Sequence, residues 1–212
     1  MPGLFVTFEG GEGVGKSTQM AALAPRLSEN GREVLEVREP GGTPAGDRVR
    51  ALLLEPGGGM DPLTELFLYE ASRAELVAAV IAPALERGAA VLCDRFTDST
   101  LAYQGYGRGL DLTDVRTLNR VASGGLTPDV TILLVADVAV GLARATRAGA
   151  DRIESESAVF HAKVAAGFGA IAADEPDRVL AVDGSGGVDE VASRVWSALA
   201  AHPRFAQWAG PE

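Results

Sequence analysis

Eight consecutive residues constrain this chain more than any other feature. Gly10-Gly11-Glu12-Gly13-Val14-Gly15-Lys16-Ser17 fits the pattern G-x-x-x-x-G-K-[ST]. It follows a short apolar run, Leu4 to Phe8. It precedes a stretch in which Met20, Leu23, Ala24 and Leu27 repeat at helical spacing. Strand, glycine-rich turn and helix start are the context the motif requires. The glycines let several backbone N–H groups converge on an anion. The start of the helix adds the positive end of its dipole. Lys16 is placed to reach β- and γ-phosphates, and the Ser17 hydroxyl to ligate Mg²⁺. The segment therefore binds a nucleoside triphosphate, ATP or a relative.

Four more apolar runs follow: Val34 to Val37, Ala89 to Cys93, Val130 to Val135 and Val179 to Val182. They are nearly continuous in apolar character, as in strands of a parallel sheet covered on both faces. Helical patterns lie between them. They span Leu63 to Glu86 (with Pro83 expected to bend it), Val115 to Ala122, Val138 to Arg147, Ser157 to Ala173 and Val188 to Ala200. The alternation predicts an α/β fold, a parallel sheet flanked by helices, with binding at the carboxyl ends of the strands. At 212 residues with no internal linker, one domain over 1–212 is expected. His202 to Glu212 read as a weakly ordered tail. The third strand ends in Asp94, where a second carboxylate for the metal is expected.

Charge and cysteine content exclude some partners. The formal net charge of −10 argues against gripping a nucleic-acid backbone. A single cysteine, Cys93, allows no internal disulfide and suits a reducing cytoplasm. No apolar run approaches the ~20 residues of a membrane span, and the first residues lack a basic leader. Two histidines, His161 and His202, with one cysteine do not make a zinc site.

Three further clusters select among phosphate-binding chains. They are Arg38-Glu39-Pro40-Gly41-Gly42-Thr43, then Asp94-Arg95-Phe96-Thr97-Asp98-Ser99-Thr100 with Ala102-Tyr103-Gln104-Gly105, then Arg144, Arg147 and Asp151-Arg152-Ile153-Glu154. With the glycine-rich loop they resemble the thymidylate kinases, over nearly the whole chain from Phe5 to about Val182. The resemblance implies a five-stranded sheet of order 2-3-1-4-5 and Mg²⁺-dependent, in-line phosphoryl transfer from ATP to dTMP, yielding dTDP and ADP. It implies a homodimer, and a lid at about 144–156 that closes over ATP.

The resemblance also implies roles. ATP would be held by Gly10, Gly11, Glu12, Gly13, Val14, Gly15, Lys16, Ser17, Thr18 and Arg144, and the metal by Ser17 and Asp94. Glu12, Arg38, Tyr69, Arg73, Arg95, Ser99, Thr100, Tyr103 and Gln104 would hold dTMP. Tyr69, where the family usually has Phe, would stack on the base beside Arg73, and Tyr103 would lie under the sugar. Arg38 and Arg95 would face the acceptor phosphate. Gly13 stands where some members carry an arginine, so Arg147 and Arg152 of the lid are the expected catalytic arginines beside Lys16, Arg95 and Glu12. Two alternatives compete. A GTPase switch would need an N-K-x-D guanine reader, yet Asn30 and Asn119 are followed by Gly31 and Arg120. A nucleoside kinase would need a general base, for which Glu36 or Glu39 could serve.

Overall fold

The computed structural model describes residues 3–29, 31–57, 59–146 and 149–210. Five strands form one parallel sheet: β1 Leu4–Glu9, β2 Val34–Arg38, β3 Ala90–Asp94, β4 Val130–Val135 and β5 Val179–Asp183. Their order is β2-β3-β1-β4-β5. Each lies within a residue or two of an apolar run in the sequence. Phe8 pairs with Asp94 and Arg38 with Asp94 in register, so the carboxyl ends of β1, β2 and β3 open onto one space.

The continuous apolar strands do conceal an alternation. Leu4, Val6 and Phe8 join Leu92, Ile132 and Leu134 under α1 (Lys16–Ser28) and α9 (Val188–Ala200). On the opposite face, Phe5, Val91 and Cys93 pack against the helical segment around Leu76 and Ile81. Leu133 and Val179 pack with Tyr103, Phe160 and Phe168. Between these two apolar clusters β1 presents Thr7 and Glu9, both fully buried. Thr7 Oγ1 and Thr131 Oγ1 are 2.8 Å apart, and Asp98 is held by two nitrogens of Arg178. A polar seam thus runs through the second face and ends beneath the glycine-rich loop.

Several helices differ from the sequence pattern. An unforeseen α2, Pro44–Leu54, directly follows the Arg38 to Thr43 cluster; Thr43 caps it by accepting from the Gly46 N–H at 3.0 Å. The long helix expected over Leu63 to Glu86 is α3 (Pro62–Leu76), a π-helical turn (Val77–Ile81) and α4 (Ala82–Glu86). The winding changes ahead of Pro83, because proline lacks an N–H and the wider turn absorbs the missing bond. Helix α5 (Thr97–Thr100) continues into a second π-helical turn, Leu101–Gly107. Helices α6 (Leu112–Ala122), α7 (Val138–Ala145) and α8 (Ala158–Asp174) follow.

The expected tail is corrected. Pro203–Ala209 form α10, with Phe205 and Trp208 three residues apart and buried in the core under β1. Trp208 Nε1 donates to the Gly88 carbonyl at 3.3 Å. Burying one indole and one phenyl ring contributes on the order of 2–3 kcal/mol each, enough to hold a seven-residue helix that could not stand alone.

Candidate active site

The glycine-rich loop joins β1 to α1, and Gly15 caps the helix at φ 97°. At Gly13, with φ 62°, an added Cβ would lie 2.0 Å from the Gly141 carbonyl of α7. Close approach of α7 therefore admits only glycine there. Lys16 is buried, and its Nζ donates to the carbonyls of Gly10 at 3.1 Å and Gly11 at 2.7 Å, which sets the ammonium over the loop. Burial, with Arg95 close by, pulls its pKa down to about 8. Ser17 Oγ donates to Asp94 Oδ2 at 2.5 Å. Among the described residues no group of three or more acidic, histidine or cysteine side chains could hold a metal alone. One hydroxyl and one carboxylate are oxygen donors of the kind that would hold a magnesium ion beside a bound triphosphate.

This phosphate hollow is lined by Gly13, Gly15, Lys16, Ser17, Thr18, Arg38, Asp94 and Arg144. A second hollow lies beside it, lined by Tyr69, Arg73, Phe96, Ser99, Thr100, Tyr103 and Gln104. Glu12, Glu39, Arg50 and Arg95 line both. Arg95 is the one non-glycine at positive φ among the described residues, at 70°. Its guanidinium donates to the Gly10 carbonyl at 3.1 Å, Ser99 Oγ at 3.2 Å and Glu12 Oε1 at 2.7 Å. The Tyr103 hydroxyl donates to the same Glu12 oxygen at 2.6 Å. Burial would raise the Glu12 carboxyl, yet Arg95 and Lys16 together hold it down to about 2. It stays ionised and ties the loop to the cation at the junction of the hollows.

The floor of the second hollow is an ion cluster drawn from distant segments. Arg73, fully buried, donates to Glu39 Oε2 at 2.9 and 2.7 Å, Glu70 Oε2 at 2.9 Å, Asn119 Oδ1 at 2.6 Å and Thr100 Oγ1 at 2.9 Å. One cation cannot neutralise two buried carboxylates. Burial pushes Glu39 up to about 7 and raises Glu70, while Arg73 is held firmly protonated against its own burial by Glu39 and Glu70. Gln104 Nε2 donates to Glu65 Oε1 at 2.7 Å. Tyr69 stands one helical turn from Arg73, and burial raises its phenol. Sequence reasoning missed Glu65, Glu70 and Asn119, and weighed Glu39 only as a base. It also missed Arg50, whose signal was a cation on a capped helix directly after the Arg-Glu-Pro-Gly-Gly-Thr run.

The lid residues divide. Arg144 lines the phosphate hollow, and Arg147 lies outside the described residues. Arg152 lines neither hollow. Its side chain turns inward, donating to the Leu53 carbonyl at 2.7 Å and Glu65 Oε2 at 2.6 Å, while Asp151, Ile153 and Glu154 face the second hollow. Arg38 is more than half exposed at the rim, 3.8 Å from Asp47.

Comparison with known proteins agrees with this geometry. The thymidylate kinase family profile matches residues 8–195. A thymidylate kinase of Synechococcus sp. (strain JA-3-3Ab) is 54% identical over 206 residues, covering 95% of this chain and 100% of the relative. One from Deinococcus radiodurans is 51% identical over 198 residues, covering 93% and 96%. The crystal structure of thymidylate kinase from Ehrlichia chaffeensis superposes with a TM-score of 0.76 at 35% identity, covering 94% of this chain and 99% of that one. With the sheet order, the two adjoining hollows and these matches along nearly its whole length, the chain belongs to the thymidylate kinase family.

Proposed function

We propose that this chain transfers the γ-phosphoryl group of ATP to dTMP, giving dTDP and ADP. The observation that carries the reading is Arg95, whose guanidinium lines two adjoining hollows at once. The glycine loop and Lys16 suit one to a triphosphate, and the aromatic and polar lining suits the other to a nucleoside monophosphate. ATP lies along Gly10 to Thr18, with Lys16 over the β- and γ-phosphates and Arg144 at the rim. dTMP lies on Tyr69, Arg73, Ser99, Thr100 and Gln104, with Tyr103 and Glu12 beneath its sugar. Its phosphate meets Arg95, Arg50 and Arg38.

The acceptor phosphate, with a second pKa of about 6, is already largely deprotonated near pH 7, so no general base is needed. Two anions must instead be aligned and their repulsion cancelled. Ser17 and Asp94 would hold a magnesium ion, which supplies Lewis-acid neutralisation of the β- and γ-oxygens. Arg95 neutralises the acceptor and the transferring group from the opposite side. Tight packing at Gly13 leaves no room for a side chain there, which favours supply of a further arginine by the lid at 144–156. Arg144 stands nearer to that task than Arg152, which would have to leave Glu65. We read 1–212 as one domain, cytoplasmic by its lone buried thiol, and dimeric through exposed Leu63 and Phe67 of α3. No helix among the described residues is long and apolar enough to cross a membrane.

Assays with ATP, Mg²⁺ and each of dTMP, dUMP, thymidine and AMP test the reading. Turnover is expected with dTMP above the others; phosphorylation of thymidine without dTMP would overturn it.

A further inference from the structure

Glu9 closes β1, has no exposed surface, and has no ion-pairing cation within 4 Å among the described residues. Its carboxylate is instead filled by donors from the turn after β3. Oε1 accepts the Phe96 N–H at 2.7 Å and the Ser99 N–H at 3.3 Å; Oε2 accepts the Ser99 hydroxyl at 2.5 Å. These residues directly follow Arg95, whose left-handed backbone (φ 70°) costs about 1 kcal/mol or more and persists only where surroundings enforce it. The Arg95 N–H is itself tied to the Phe8 carbonyl at 3.0 Å, one residue before Glu9.

The direction of the hydroxyl is the important point. Because Ser99 Oγ gives its proton to Glu9, its lone pairs are left to accept from Arg95 Nη1 at 3.2 Å. We propose that Glu9 is a positioning residue for phosphoryl transfer: through Ser99 it fixes the guanidinium of Arg95 at the junction of the two hollows. The inference rests on the reading of Arg95 given under Proposed function. Burial and the nearby Asp98 carboxylate push the Glu9 pKa up to about 8, against the pull of its three donors and Arg95; once ionised it only accepts, and all three groups facing it donate. Glutamine has nearly the same volume but brings an NH₂ into the ring of donors. One amide edge must then donate to Ser99 Oγ, which takes one of its two lone pairs and leaves its hydroxyl proton without Glu9 to receive it, so the hydroxyl facing Arg95 reorients. The neighbouring Asp98 does not supply this role, being occupied by Arg178 and the Thr131 hydroxyl.

The test is a double-mutant cycle of Glu9→Gln and Ser99→Ala, with kcat and both KM values measured for ATP and dTMP, and thermal unfolding measured in parallel. Misplacement of about 1 Å at a reacting centre can cost about 100-fold. Assayed at about pH 9, above the Glu9 pKa of about 8, each single variant is therefore expected to lower kcat about 10- to 100-fold, with the KM for ATP unchanged within twofold. The double variant is expected to lose no more than the worse single. A folded Glu9→Gln protein with wild-type kcat overturns the proposal, as do fully multiplicative losses or a loss of ATP affinity equal to the loss of kcat. Should Glu9→Gln not fold, Ser99→Ala alone decides, since undiminished kcat there also overturns it. The wild-type chain on dTMP is the control: inactivity there would sink the functional reading, whereas an active wild type with an indifferent Glu9→Gln would sink only the relay.

Discussion

The two hollows are built on opposite plans. The phosphate hollow is centred on one continuous loop, Gly10 to Ser17, whose lysine is satisfied by carbonyls five and six residues away, with charged side chains such as Arg38, Asp94 and Arg144 added around its wall. The nucleoside hollow is made of side chains held by other side chains. Arg73 reaches partners 34, 46 and 27 residues distant: Glu39, Asn119 and Thr100. The first site needs local conformation to form. The second needs the whole second face of the sheet to be folded before any base could be read. Loss of a side chain should therefore damage chemistry in the first and folding in the second.

The largest effect is expected at Arg73. Arg73→Met preserves bulk but leaves Glu39 and Glu70 buried without a cation. Removing one partner of such a cluster costs about 3–5 kcal/mol. At about 2–4 °C per kcal/mol for a chain of this size, the midpoint of thermal unfolding should drop by roughly 10 °C. Combining the change with Glu39→Gln and Glu70→Gln should recover part of the loss. A midpoint within 2 °C of wild type would erase the contrast between the hollows.

Lys16→Ala should show the reverse. Loss of one preorganised charge at a developing anion costs about 10²–10³ in rate, or roughly 3–4 kcal/mol of the barrier. The pKa of Lys16, pulled down to about 8, means that its buried charge is disfavoured in the folded chain, so truncation should leave the unfolding midpoint unchanged or raise it. Turnover measured beside calorimetry checks both halves. A destabilised but active Lys16→Ala would break the comparison from the other side.

Legibility in the sequence follows the same division. The glycine-rich loop, Asp94 and five strands were readable because each depends on neighbours along the chain. Arg95 was readable through its place after a strand-end carboxylate. The counter-ions were not: nothing in the sequence ties Asn119 to Arg73, or Glu65 to Gln104, Arg108 and Arg152, until the helices pack. Arg152 illustrates the limit. Its motif marks the segment, but packing of α2 and α3 decides that the guanidinium turns onto Glu65. Thr7 lies in a run read only as apolar and Glu9 just past its end, so the polar seam was invisible. The helix Pro203–Ala209 was legible in hindsight, since His202-Pro203 starts it and Phe205 and Trp208 fall on one face.

The smallest effect probes the excess charge in the Arg73 cluster. Glu39 has an ordinary value near 4.5 and is pushed up to about 7 in the folded chain, chiefly by burial. Below pH 4.5 it is protonated both folded and unfolded, so the preference of the fold for the neutral form is fully present. Between 4.5 and 7 the unfolded chain loses the proton while the folded chain retains it, and stability falls as pH rises. Glu39→Gln has no such titration. Its unfolding midpoint, measured against wild type across pH 4.5 to 8, should gain steadily up to about pH 7 and then level off, with a ceiling of about 3 kcal/mol. An opposite slope would mean that Arg73 compensates Glu39 fully, and that the nucleoside hollow carries no surplus negative charge. The phosphate hollow offers the internal contrast: Glu12, held down near 2 by Arg95 and Lys16, contributes stability that is retained throughout this window and lost only under far more acidic conditions. Glu12→Gln should therefore show no midpoint drift of its own between pH 5 and 8.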